Sequence, residues 1–206
     1  MKKCSVEGCN NKHYGKGYCR KHYDQIRRHG KIIKTKFDPN EIIKYEDYAE
    51  IILYDKNCNE IARTSIDLDD IDKMKQYKWY LHDDGYAVSD TKNKNDRMHR
   101  IITDCPKDMF VDHINHNRLD NRKCNLRICT QQQNNINTSK KKTNKSGVIG
   151  VHWVKSRKKW CAQIRINSKA FHLGYFDNIE DAAEARKQAE IKYFGDYRNK
   201  KDDDNE

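Results

Sequence analysis

Apolar and polar positions along the chain sort into short strands and a few helices. The pattern predicts strands over 48–54 and 60–66 with a turn at 55–59 between them. Asp67 is placed to cap a short helix reaching about Tyr77. The apolar runs 79–81 and 86–88 flank Asp84-Gly85, a hairpin signal. A helix starts near Thr130, and Gln133 three positions later gives capping-box spacing. Further on, 146–153, 159–166 and 170–176 read as three strands. In the second of these, Trp160, Ala162, Ile164 and Ile166 share one face, and Lys159, Gln163 and Arg165 share the other. A helix follows from Asp177, again with capping-box spacing to Glu180. Its Ile179, Ala182, Ala183, Ala185, Ala189 and Tyr193 form a narrow face suited to lying close against a sheet. Segments 31–46 and 138–146 read as linkers, with Asp38-Pro39-Asn40 the clearest breaker. No internal repeat is visible.

Composition changes this picture by limiting core size. Hydrophobic and charged residues each make up 35% of the 206 positions, and the mean hydropathy is −1.16. That is too polar for one large core and points to several small modules. No apolar run approaches the roughly 18 residues that span a bilayer. Lys2 and Lys3 run straight into a Cys/His cluster without an apolar stretch, so no signal peptide and a cytoplasmic location are expected. The formal net charge is +11, and between Lys140 and Trp160 there are eight Lys/Arg residues and no Asp or Glu. So local an excess implies a polyanionic partner, since each neutralised phosphate releases condensed counterion. Neither a membrane nor a small-molecule substrate is expected.

Eight cysteines in such a chain suit metal ligation or burial better than disulfides. Cys4, Cys9, Cys19 and His22 are spaced as two pairs joined by a loop, the donor set of a closed tetrahedral zinc site of structural type. A segment this short cannot fold on core burial, so metal binding would supply its folding free energy. His13 is a substitute ligand, and Tyr23, Arg27, Arg28 and His29 follow on a basic helix. Residues 4–22 resemble the small zinc-binding segments that precede phage endonuclease domains. Cys105, Cys124 and Cys129 lack paired spacing and are expected to be buried thiols.

The richest chemistry lies between Arg97 and Asn134. Strand, polar loop, strand and helix follow one another, with Asp112-His113 at a strand end and Asn134 in the first helical turn. If the helix packs back across the hairpin, two oxygen ligands and one imidazole converge. Hard oxygens suit Mg²⁺ or Mn²⁺, and a neutral imidazole beside the ion can deprotonate water. The string His99-Arg100-Ile101-Ile102, Asp112-His113, Asp120-Asn121-Arg122, Asn125-Leu126-Arg127 resembles the signature of the HNH endonucleases of phages and introns, as do Tyr77-Lys78-Trp79 and Gly85-Tyr86-Ala87. The resemblance implies His113 as general base, Asn125 as the residue orienting its ring, and Asp112 with Asn134 as ligands of one Mg²⁺ (or Mn²⁺). It implies a nicking, homing-type DNA endonuclease in a bacterial or phage-infected cell. His99 is expected to be structural and His116 a loop residue.

Residues 147–195 resemble the DNA-binding domain of plant ethylene-response factors (the APETALA type), on Leu173-Gly174-Tyr175-Phe176-Asp177 and the helix from Glu180-Asp181-Ala182-Ala183 to Gly195. That resemblance implies a sheet entering the major groove through Gln163 and Arg165, supported by His152, Lys155, Arg157, Lys158 and His172. Ile149, His152 and His172 depart from the family's usual residues, so no base preference transfers. The expected protein is thus α+β and multi-module. Residues 1–30 form a zinc-binding head. Residues 45–138 form a β-hairpin platform leading into a ββα-metal nuclease core at 98–138. Residues 145–199 form a three-stranded antiparallel sheet plus helix, and 200–206 an acidic tail. The expected partner is double-stranded DNA, bound by a monomer. The rival expectation is a catalytically inactive DNA-binding regulator. An RNA-processing nuclease fits less well, since sheet-in-groove reading suits B-form DNA.

Overall fold

The structure, a computed structural model, describes residues 2–6, 9–35, 38–90, 96–137 and 144–199. The expected acidic tail and most of the second linker lie outside these residues. Helix α1 (Arg20–His29) has Arg27, Arg28 and His29 in its last turn, where they complement the helix dipole. It stops at Gly30, whose φ of 69° makes the left-handed cap. The first expected linker is not all linker. It contributes β1 (Ile42–Lys44), which pairs antiparallel with β2 (Tyr48–Tyr54), and β2 in turn pairs with β3 (Glu60–Asp67). A strand of three residues, Ile-Ile-Lys, is too short to show a period, which is why the pattern alone misses it.

Asp67 does not cap a helix with its side chain. Its carboxylate accepts the backbone N–H of Lys123 at 2.7 Å, and the helical stretch is only a 3₁₀ turn, 68–70, followed by α2 (Ile71–Met74). The Asp84-Gly85 hairpin forms as expected, joining β4 (Trp79–Leu81) to β5 (Ala87–Ser89), with β6 (Asp96–Arg97) on the other side of β5. Then come α3 (Met98–Ile102), the hairpin β7 (Phe110–His113) and β8 (Leu126–Cys129), and α4 (Gln131–Ile136). The expected capping box is present: Thr130 Oγ1 accepts from the Gln133 N–H and the Gln133 side chain accepts from the Thr130 N–H.

One apolar cluster unites these parts. Ala49, Ile51 and Leu53 from alternate positions of β2 meet Ile66, Met74, Trp79, Met98, Val111 and Leu126. The hairpin platform and the His/Asp/Asn-rich hairpin are therefore built on one core, and each large aliphatic side chain buried there contributes about 1.5–3 kcal/mol. Trp79 is fully enclosed and its indole N–H donates to the Met74 carbonyl at 2.9 Å.

The C-terminal part has its own small core. Strands β9 (Val151–Val154), β10 (Lys159–Ile166) and β11 (Lys169–Phe176) form an antiparallel sheet with β10 central, and α5 (Ile179–Phe194) covers one face. Val151, Ala162 and Ala182 fill the contact. The register of β10 slips between Ala162 and Gln163, and Gly150 fits beside the irregularity. A Cβ at Gly150 would lie 2.4 Å from the Gln163 carbonyl oxygen, and its φ is 78°, so only glycine is accommodated there. The N-cap of α5 is Asn178, one residue later than expected, and no capping box forms at Glu180. Asp177 pairs instead with Lys159 across the sheet at 2.9 Å.

Candidate active site

In the β7–β8 hairpin Asp112 lies directly opposite Arg127, and His113 opposite Leu126. Opposed residues of an antiparallel pair project from the same face. Arg127 therefore reaches Asp112 Oδ2 with both Nε (2.8 Å) and Nη2 (2.6 Å), and both side chains are largely buried. The guanidinium is held from behind: it donates to the carbonyls of Asp196 and Tyr197 and lies 4.6 Å from the Tyr197 ring. The 3₁₀ turn 195–197 after α5 thus touches the hairpin, and Asn199 Oδ1 is 3.2 Å from His116 Nε2.

The loop between the strands is pinned to β3. Ser65 donates to the Leu119 carbonyl and accepts from the Asn121 N–H, each at 2.8 Å. This places Asn121, with no exposed surface, against His113. Asn121 Nδ2 donates to Thr64 Oγ1 at 2.7 Å, and that hydroxyl donates to the Leu119 carbonyl. Asn121 Oδ1 is then left to accept from His113 Nε2 at 3.2 Å, so Nε2 carries the ring proton and Nδ1 is the basic nitrogen. Asn125, expected to orient the ring, does something else. Its Oδ1 accepts from the Asn115 N–H and its Nδ2 donates to the Asp120 carbonyl, which fixes the loop. Burial would raise the Asp120 carboxyl, but the Arg122 guanidinium against it holds it below the usual carboxylate range.

Burial pushes the His113 imidazole below its ordinary pKa, so the ring is neutral at pH 7. His99, expected to be structural, is buried edge-on to His113 with ring centres 5.1 Å apart, and burial drives its pKa down to about 3. Tyr86 packs against both rings, and the guanidinium groups of Arg97 (4.6 Å) and Arg118 (4.9 Å) lie against its ring. Two arginines beside a neutral imidazole can bind a phosphodiester.

The side chain that reaches Asp112 from the helix is Asn137, at the C-cap of α4. Its Nδ2 is 3.1 and 3.0 Å from the two carboxylate oxygens. Asn134 is half-buried, and its side chain makes no hydrogen bond to a described residue. Asp112 offers one hard carboxylate, and the amide facing it, that of Asn137, has its Oδ1 buried with no hydrogen-bond partner among the described residues. A turn of that amide would set a second hard oxygen beside the carboxylate, a pair that fits a divalent ion. Arg127 and Asn137 are the residues sequence reasoning missed. Strand register pointed to the first, and the three-residue step from Asn134 along the helix to the second.

At the N-terminus the ligand atoms of Cys4, Cys9, Cys19 and His22 all lie within 4.8 Å of one another. His22 Nδ1 is 3.2 Å from Cys4 Sγ and 3.5 Å from Cys19 Sγ. Burial raises the Cys4 thiol, but its contacts with His22 and nearby backbone amides bring it down to about 6, close to the thiolate that zinc takes. Three sulfurs and one imidazole fit tetrahedral zinc. His13 stands outside this set: its Nε2 accepts from the Gly17 N–H at 3.0 Å and braces the turn. Among the other cysteines, Cys129 is buried, Cys105 is half-buried, and Cys124 is exposed, contrary to expectation, because the 3₁₀ turn 123–125 faces outward there.

On the C-terminal sheet, Ala162 and Ile164 face α5, while Gln163 and Arg165 are exposed on the opposite side. Gln163 pairs with His172 on β11, and Cys161 lies between His152 and Tyr175. His152, Lys155, Arg157, Lys158 and His172 are all exposed, and Arg157 stacks on Tyr175 at 4.5 Å. No helix among the described residues is long and apolar enough to cross a membrane.

Comparison with known proteins bears on these sites. Residues 104–136 match the family described as HNH endonuclease. An uncharacterized HNH endonuclease of Acanthamoeba polyphaga mimivirus is 33% identical over 138 residues, which cover 64% of this chain and 71% of that protein. Protein 3.8 of Escherichia phage T7 is 32% identical over 78 residues, covering 38% of this chain and 64%, just under two thirds, of its own length. No solved structure matches.

Proposed function

We propose, from the fact that this chain belongs to the HNH endonuclease family and so hydrolyses phosphodiester bonds, that it nicks double-stranded DNA at chosen sites in the manner of a homing-type enzyme. The observation that carries this reading is the neutral, buried His113, with its Nε2 proton given to Asn121, next to Asp112. His113 Nδ1 takes a proton from a water molecule, which attacks phosphorus in line with the departing 3′-oxygen. Arg118 and Arg97 hold the non-bridging oxygens, Arg97 being set in place by its ion pair with Asp84. A divalent ion, Mg²⁺ or Mn²⁺, held by Asp112 and Asn134, would supply charge stabilisation at the phosphorus and the leaving oxygen. Asp112 needs Arg127 to keep its carboxylate in place, and Asn125 keeps the loop closed.

Site choice belongs, on this reading, to the C-terminal module (145–199), and a structural zinc in the module 1–30 organises the basic helix α1. The reading is supported by exposed Gln163, Arg165 and His172 on one sheet face, with Lys155, Arg157 and Lys158 at the adjoining turn. Side chains on a narrow sheet can reach base edges in the major groove, and turn lysines can reach phosphates. Arg165→Ala is expected to weaken binding to the preferred site by about 1–3 kcal/mol with little change on unrelated DNA. Lys158→Ala should weaken binding to all sequences and flatten the salt dependence. Titrations of both variants against specific and random duplexes check this. Equal losses on both duplexes for Arg165→Ala would remove it from base reading.

Supercoiled plasmid provides the direct test of the whole reading. With Mg²⁺ the chain should convert it to open circles before any linear form appears, because one site cuts one strand. Without a divalent ion, or with Asp112→Ala, conversion should stop. Linear product from the outset, or cleavage that ignores the ion, would sink the nicking or the metal part respectively.

A further inference from the structure

The environment of Asn137 carries more than a helix end requires. It is 5% exposed, and its one amide NH₂ group faces three acceptors: both oxygens of Asp112 and, at 3.2 Å, the carbonyl of His113. Its Oδ1 is buried with no hydrogen-bond partner among the described residues. A buried unsatisfied oxygen is costly, and three acceptors converging on two N–H bonds leave one acceptor short of a donor, although the Arg127 guanidinium already balances the charge of Asp112. The crowded acceptors lie at the NH₂ end of the amide and the orphan oxygen at its other end, so the two would suit a cation beside Asp112 once those ends change places. An amide turned over about its terminal torsion has nearly the same shape, so Oδ1 and Nδ2 can exchange places without moving the backbone.

The hydrogen bonds of Asp112 show what that exchange would release. Oδ2 receives Arg127 Nε and Nη2 as well as Asn137, whereas Oδ1 receives, among the described residues, Asn137 alone. Turning the Asn137 amide frees Oδ1 completely and points a second oxygen at it, while Arg127 keeps its grip on Oδ2. Asn134 lies three residues back on the same helical flank. We propose that Asn137, outside the matched stretch 104–136, is a ligand of the same divalent ion, so that the site is closed by Asp112, Asn134 and Asn137 through three hard oxygens. This inference rests on the one-ion reading above and deepens it.

The test is Mn²⁺ binding by the full-length, zinc-loaded chain without DNA, followed through the electron paramagnetic resonance signal of free Mn²⁺, together with thermal melts. Asn137→Ala is expected to weaken Mn²⁺ binding by at least about 10–100-fold, since loss of an outer-shell partner of a metal ligand already costs that much. Asn137→Asp keeps an oxygen ligand and adds a charge. It should bind Mn²⁺ at least as tightly as the parent chain. Without the ion, its carboxylate faces Asp112, so its Tm should fall below the parent's and be raised by Mn²⁺ more than the parent's is. That second variant decides the matter even if Asn137→Ala does not fold. Parental Mn²⁺ affinity in both variants, with no extra Mn²⁺ dependence of Tm in Asn137→Asp, would overturn the assignment. If Asp112→Ala still lost the ion, the one-ion reading would stand. Failure of the parent chain itself to take up Mn²⁺ would overturn both.

Discussion

Replacing His113 with alanine should lower the cleavage rate by about 10²–10⁴-fold, the usual worth of a positioned general base, while leaving DNA affinity unchanged. The loss should appear in turnover and not in binding, since His113 is nine-tenths buried behind Tyr86 and offers the DNA little surface. The pH dependence follows from the direction of its shift. Burial lowers the pKa, so the proton leaves the ring at lower pH than from a free imidazole near 6.5. The base form is therefore already populated at neutrality. The rate should climb along an acid limb with its midpoint below about 6.5 and then level off. Asn121→Ala should reduce turnover less than loss of His113, because the base remains and only its orientation is lost. A midpoint above the free-imidazole value, or turnover that survives in His113→Ala, would exclude a neutral imidazole base. Single-turnover rates from pH 5 to 9 are the measurement.

Withdrawing zinc is the other large perturbation. For short zinc-organised segments the metal contributes about 10–16 kcal/mol of apparent binding free energy at neutral pH, which is also their folding free energy. Cys19→Ala removes a buried sulfur ligand, and residues 4–22 should lose their order with it. Elemental analysis should show one zinc fewer per chain, and proteolysis should clip the head first. Nicking should persist, because none of the head's residues belongs to the apolar cluster beneath Asp112 and His113. The same zinc content in parent and variant would remove the assignment. Loss of nicking along with the zinc would mean that the head supports the nuclease core through Lys21 and Asp38, whose side chains are paired between α1 and the segment before β1.

Arg127 bears on how the parts communicate. It holds the Asp112 carboxylate with one edge and the carbonyls of Asp196 and Tyr197 with the other. The end of α5 and the candidate ion site thus share one side chain, although 69 residues separate Arg127 from Asp196.

Much of this molecule was legible without coordinates. The strand at 48–54, the Asp84-Gly85 hairpin, the capping box at Thr130 and Gln133 and the two-faced strand at 159–166 all follow from periods of two and 3.6 and from turn chemistry, rules that act within a few residues. The order of Asp112, His113 and the helix after them, and the spacing of Cys4, Cys9, Cys19 and His22, also belong to the chain alone. What local rules could not settle is which of several identical amides performs which task. Asn115, Asn117, Asn121, Asn125, Asn134 and Asn137 have the same donors and acceptors. Their roles depend on what folding brings within 3 Å of them. Asn121 meets His113 because Thr64, 57 positions away, holds its amide from the other side. Asn137 meets Asp112 across 25 positions because α4 packs over the hairpin. Asn125 is left to close its own loop. A hydrogen bond specifies a distance and an angle, not a sequence separation, so tertiary packing alone could choose among these side chains.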